Sequence, residues 1–132
     1  IVFNNYGTII KCISSGQISS STNQYYKAYA GGIAGYNGEN GKIISCESKV
    51  NVHAETNNGY TSQSDVYAGG IVSWNKGLIN DCGAKGTVTA SSRDDLERAG
   101  GIAGYNGGQI MSSYYTGTSS VNIAGENNGV IA

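Results

Sequence analysis

Apolar residues in this chain come in strand-length pieces punctuated by glycine and asparagine, and the pieces repeat. The stretch Ala30-Gly31-Gly32-Ile33-Ala34-Gly35-Tyr36-Asn37 returns as Ala68-Gly69-Gly70-Ile71-Val72-Ser73-Trp74-Asn75 and again as Ala99-Gly100-Gly101-Ile102-Ala103-Gly104-Tyr105-Asn106. Behind each Asn follow a Gly, an apolar residue and a Cys: Asn5, Gly7, Ile9 and Cys12, then Asn75, Gly77, Ile79 and Cys82. Asn37, Gly41, Ile43 and Cys46 repeat the order with a small insertion. The fourth unit has Asn106, Gly108, Ile110 and Ser113, and a fifth runs from Ile123 through Asn127 and Gly129 to Ile131. Further on in the first three units lie Ile18, Val52 and Val88, with Ser119 in the fourth. Polar, Tyr-rich inserts then lead to the next Ala-Gly-Gly-Ile.

Several glycines per unit, with Asn and β-branched residues beside them, disfavour helix, since each interior Gly costs about 1 kcal/mol. The shortest unit, Ile102 to Ile123, spans about 21 residues, one coil of a β-solenoid with about three short strands. The pattern predicts an all-β fold: a parallel β-solenoid, β-helix-like, of about four to five coils stacked about 4.8 Å apart, with long inserts at one corner. Like residues then stand above one another. The expected interior ladders are Ile33, Ile71, Ile102 and Ile123; Ile9, Ile43, Ile79, Ile110 and Ile131; Cys12, Cys46, Cys82 and Ser113; and Ile18, Val52 and Val88. Because Ile9 and Cys12 are three apart, a bend or bulge must fall between them. Asn5, Asn37, Asn75, Asn106 and Asn127 are expected at a corner, each amide bonding to the next coil's Asn. Gly7, Gly41, Gly77, Gly108 and Gly129 are expected to supply positive φ there.

Composition adds limits. The 132 residues suit one domain, 1-132, and a net charge of -1 gives no electrostatic case for nucleic acid or an anionic membrane. No apolar run reaches the roughly 18 residues of a membrane span, so no membrane insertion is expected, and no signal peptide is visible. The chain enters its repeat almost at once and stops inside the fifth unit, which leads us to expect a segment of a larger protein. Uncapped coil ends would then favour self-association.

The units resemble the GLUG motif, a Gly-hydrophobic-hydrophobic-Gly repeat of exported bacterial proteins that include immunoglobulin A-cleaving metallopeptidases and adhesin-like surface proteins. Gly32-Ile33-Ala34-Gly35 and Gly101-Ile102-Ala103-Gly104 carry the resemblance, and Gly70-Ile71-Val72-Ser73 departs at its last position. The resemblance implies an extracellular or cell-surface stalk, spacer or binding repeat, without catalytic residues in this segment.

A zinc peptidase needs His-Glu-x-x-His, whereas the one histidine, His53, precedes Ala54 and Glu55 and reads as an outward surface residue. Cys12, Cys46 and Cys82 lack Cys-x-x-Cys spacing, and in-register strands fit disulfide geometry poorly, so a reduced interior ladder is favoured over zinc or disulfides. No cofactor or metal is expected. β-Helix scaffolds also serve polysaccharide lyases and glycoside hydrolases, and a carbohydrate-active fragment using Asp81 or Glu47 is the alternative reading. Asp94, Asp95, Glu97, Arg93 and Arg98 crowd one insert as a solvated loop, and the Thr87, Thr89, Thr116 and Thr118 positions are too irregular along the coils for ice binding. The inserts Ser19 to Tyr29, Ala54 to Tyr67 and Ala90 to Arg98 should line up on one side. Their Tyr25, Tyr26, Tyr29, Tyr60 and Tyr67 either form a ridge that contacts a host protein or cell-wall glycan, or shield the coil flank. Tyr36, Trp74 and Tyr105 form a separate, repeat-locked structural stack.

Overall fold

The computed structural model describes residues 2–22, 27–57, 65–92 and 97–132. The chain winds as a parallel β-solenoid, passing through its sheets in the same order on successive turns, with the fourth sheet skipped by the short fourth turn. The first sheet joins Val2–Asn5, Ala34–Asn37, Val72–Asn75, Ala103–Asn106 and Ala124–Asn127. The second joins Thr8–Ile10, Lys42–Ile44, Leu78–Asn80, Gln109–Met111 and Val130–Ile131. The third holds the long strands Ile13–Thr22 and Glu47–Thr56 with the shorter Gly83–Ala84, Val88–Ser92 and Tyr114–Tyr115. A fourth sheet of three strands, Ala28–Gly31, Val66–Gly69 and Glu97–Gly100, belongs to the longer coils.

Register follows the repeat. Ile9, Ile43, Ile79, Ile110 and Ile131 are successive partners, as are Ile18, Val52 and Val88. Ile33 N–H donates to the Ile71 carbonyl, Ile71 to Ile102, and Ile102 to Ile123. Ile33, Ile43, Ile71, Ile79, Ile102 and Ile110 are fully enclosed with Cys46 and Cys82 in one core. Burial of such a side chain contributes about 1.5–3 kcal/mol, and each coil obtains it only from its neighbours.

The expected three strands per coil describe the short fourth coil, whereas the first two coils have four and the third has five, with Gly83–Ala84 and Val88–Ser92 both in the third sheet. The ends of what looked like inserts are coil: the third-sheet strands run on to Thr22, Thr56 and Ser92, and the fourth sheet begins at Ala28, Val66 and Glu97. The alternation in Val50, Val52 and Ala54, and in Ala28 and Ala30 or Val66 and Ala68, points those residues inward. They make a second core with Val88.

The bend between Ile9 and Cys12 is a single left-handed residue. Lys11 (φ 52°), Ser45 (φ 52°), Asp81 (φ 54°) and Ser112 (φ 47°) occupy that conformation on successive coils, each just before the Cys or Ser113 position. The expectation of positive φ at Gly7, Gly41, Gly77, Gly108 and Gly129 is corrected: none of them is left-handed. Gly77, Gly108 and Gly129 are glycine because a Cβ there would strike the carbonyl oxygen of the glycine one coil below. Gly31, Gly69 and Gly100 have a different reason, since a Cβ would strike the carbonyl three residues on, across the turn between the fourth and first sheets.

Candidate functional site

That turn decides where the outer aromatic side chains go. In the fourth sheet Tyr29, Tyr67 and Arg98 are register partners. In the first sheet Asn4, Tyr36, Trp74, Tyr105 and Glu126 are. Folding one sheet tightly onto the other through Gly31, Gly69 and Gly100 brings the two columns together at one corner. Tyr29 stacks on Tyr67 (centroids 5.4 Å apart, planes 8° from parallel), and Tyr67 lies 4.9 Å from Trp74. Trp74 in turn lies 4.2 Å from Tyr105, and Tyr29 meets Trp74 edge-on at 6.1 Å. Offset and edge-to-face pairs of this kind add about 0.5–1.5 kcal/mol each beyond area burial.

Ser73, at the position where the glycine motif fails, is fully buried and donates its hydroxyl to the Tyr67 carbonyl at 3.0 Å, tying the two columns together. Arg98 lies over the Tyr67 ring with its guanidinium carbon 5.0 Å from the centroid. The same guanidinium pairs with Glu126 and, at 3.4 Å, with Asp65. Burial raises the Tyr67 phenol above its ordinary pKa, and its hydroxyl donates to Asp65 at 3.1 Å. Burial, with Asp65 as a second cause, raises Tyr29 as well. Both phenols are neutral donors at physiological pH.

The expected separate stack is therefore corrected: Trp74 and Tyr105 join Tyr29 and Tyr67, from the expected ridge, in one cluster. Tyr25, Tyr26 and Tyr60 lie outside the described residues. Tyr36 does not continue the stack: among the described residues its ring contact is Tyr6, T-shaped at 5.9 Å. Trp74 leans away toward Tyr67 and Tyr105, and the space left between coils is a cleft of about 370 Å³ lined by Phe3, Asn4, Tyr29, Gly35, Tyr36, Trp74 and Lys76. Lys27 reaches over the Trp74 ring at 5.8 Å. The alternation of small inward and large outward residues in Ala28-Tyr29-Ala30 and Val66-Tyr67-Ala68 was the available sequence signal for the Tyr column. Nothing in the sequence marks the opening beside Tyr36.

The other expected positions lie elsewhere on the coil. The Asn side chains stack inside the next corner, each Nδ2 donating to the following Oδ1 at 2.8 Å from Asn5 through Asn37, Asn75 and Asn106 to Asn127. Cys12, Cys46 and Cys82 are free thiols; Cys46 Sγ accepts from Cys12 N at 3.4 Å, and Ser113 Oγ accepts from Cys82 N at 3.1 Å. Burial pushes the Cys82 thiol up to about 11 and raises Cys46 as well. His53 stands on the outer face of the third sheet between Thr89 Oγ1 at 2.7 Å and Glu55 at 3.3 Å. Glu47 lies between Lys85 at 2.7 Å and Lys49 at 3.1 Å, which hold its carboxyl below the ordinary value. Asp81 sits in the left-handed bend and accepts from Ser45 Oγ at 2.8 Å.

Compared with family models, with curated proteins and with solved structures, the chain shows no match.

Proposed function

We propose that this chain is a non-catalytic repeat module of an exported bacterial surface protein, a stacked-coil spacer that binds a cell-wall or host glycan at its aromatic corner. The observation that carries the reading is the open cleft between Tyr36 and Trp74. A purely structural aromatic ladder has no reason to part between two coils, whereas flat apolar walls with a few polar groups at the rim are the usual construction of a small-molecule site. The resemblance to the GLUG repeat supports an exported setting. The coil stack supports the spacer role, because each coil contacts only its neighbours and a rod can be lengthened by adding coils.

The test is retention of the chain on a panel of neutral and acidic polysaccharides and on bacterial cell walls, beside Tyr36→Ser and Trp74→Ala variants whose fold is checked by circular dichroism. Binding by the parent chain with loss in both folded variants supports the reading. Absence of binding across the panel, or equal binding by folded variants, would sink it.

A further inference from the structure

We propose that the Tyr36–Trp74 cleft is a subsite for an acidic sugar ring, a hexuronic acid unit of a polysaccharide, with its apolar face on the aromatic walls and its carboxylate on Lys76. This rests on the glycan reading above and names the chemistry of the ligand.

The walls come first. A pyranose presents a flat patch of C–H groups on one face and hydroxyls around its edge, and Phe3, Tyr29, Tyr36 and Trp74 offer ring surface from three successive coils. Gly35 leaves the floor without a side chain, and Asn4, across the sheet from Tyr36, supplies an amide at the rim. A volume of about 370 Å³ lies at the small end of ligand sites, about 300–1,000 Å³, which suits one or two sugar rings.

Charge selects among sugars. The cluster's cations are differently committed: Arg98 is held by Glu126 and Asp65, and Lys27 by Asp65 at 3.9 Å. Lys76 lines the cleft and makes no ion pair among the described residues, and no carboxylate lines the cleft. The position is peculiar to this coil, since Tyr6, Gly38, Gly107 and Asn128 follow the Asn on the other turns. Its ammonium is therefore a free positive charge at the edge of an apolar slot, with Lys27 as a second cation near Trp74. A cationic ligand would be repelled there, a neutral sugar would leave Lys76 in water, and a ring carboxylate would form a charge-assisted hydrogen bond with it.

Trp74 is the chain's one tryptophan, so its emission reports on the cleft directly. The whole chain is titrated with oligogalacturonate, with oligomers of alginate and hyaluronan, with neutral galactan oligomers of matched length, and with polyglutamate as an acidic peptide. The expected result is saturable change with at least one of the uronic acid oligomers, weakened by added salt. Neutral oligomers and polyglutamate should bind at least tenfold more weakly. Lys76 is exposed, and Lys76→Gln should retain the fold while reducing uronate affinity about tenfold and leaving neutral sugars unchanged. Neutral oligomers binding as well as acidic ones, or no effect of Lys76→Gln, would overturn the acidic assignment while leaving the glycan reading standing. Equal binding of polyglutamate would transfer the cleft to acidic peptides, and failure of all three uronate oligomers would remove the proposal outright.

Discussion

Replacing Asn75 by Ala should destabilise the coil stack far more than the same change at Asn127. Asn75 is fully buried, and its Nδ2 donates to Asn106 Oδ1 at 2.8 Å and to the Gly77 carbonyl at 3.1 Å. Its Oδ1 accepts from Asn37 Nδ2 at 2.8 Å and from Gly77 N at 3.2 Å. Asn106 Oδ1 would still accept from Gly108 N, and Asn37 Nδ2 would still reach the Gly41 carbonyl at 3.3 Å, so those neighbours are only weakened. Gly77 N–H would be stranded. Two lost side-chain bonds at about 1 kcal/mol each, plus about 1–3 kcal/mol for the stranded donor, give a loss of about 3–5 kcal/mol. Asn127 is exposed and receives one ladder bond, and water can replace it, so Asn127→Ala should cost about 1 kcal/mol.

Urea unfolding followed by far-ultraviolet circular dichroism, with Trp74 emission as a second probe, measures the difference. Costs within about 1 kcal/mol of each other would refute the view that the buried amide ladder stabilises the stack. Asn75→Asp adds a sign to check. Its carboxylate would face Asn106 Oδ1 and backbone carbonyls with no proton to donate, so its folded pKa must rise above the unfolded value of about 3.9. The folded state then binds more protons than the unfolded one, and stability falls as pH rises through the folded pKa. Asn75→Asp should therefore be closest to the parent chain below about pH 4 and worst at neutral pH.

Three further outcomes rest on the same geometry. Gly69→Ala should cost more than about 3 kcal/mol in a thermal or urea melt, because the new Cβ would enter the Val72 carbonyl and approach Gly104 N to 2.8 Å. Gly7→Ala, with nothing within 4 Å and no left-handed backbone, should be neutral or stabilising by about 0.4–1 kcal/mol. Iodoacetamide at pH 8 should label Cys12 first, then Cys46, and Cys82 last, because Cys82 is fully enclosed and its thiol is pushed up to about 11. Mass mapping of the native chain that found Cys82 modified as fast as Cys12 would contradict a closed core.

Much of the architecture is readable from residue identity. Parallel coils in register place each residue over its counterpart, so a recurring Ile, Asn or Cys announces both the period and the ladder. Even the need for a bend between Ile9 and Cys12 shows in their odd spacing, because strict alternation would send one of them outward. The identity of the bend residue does not show. Lys11, Ser45, Asp81 and Ser112 share no side-chain chemistry, and none is the glycine that usually marks a left-handed turn.

The glycines illustrate the converse. Their recurrence was plain, but that Gly77, Gly108 and Gly129 serve proximity rather than conformation depends on where the next coil's carbonyl lies, a distance between residues far apart in the chain. The aromatic corner has the same character. Tyr29 and Tyr67 belong to one column, Trp74 and Tyr105 to another, and only the tight turn through Gly31, Gly69 and Gly100 packs them into one cluster.

By itself the sequence determined the period, the parallel stack and its inward ladders, because burial and pairing repeat wherever residues repeat. The tertiary structure alone decided that Trp74 leans toward Tyr105 while Tyr36 turns to Tyr6, leaving a cleft beside Lys76. Backbone register fixes where an outward side chain begins, but its direction is settled by the neighbours it can pack against, and those come from other coils and another sheet.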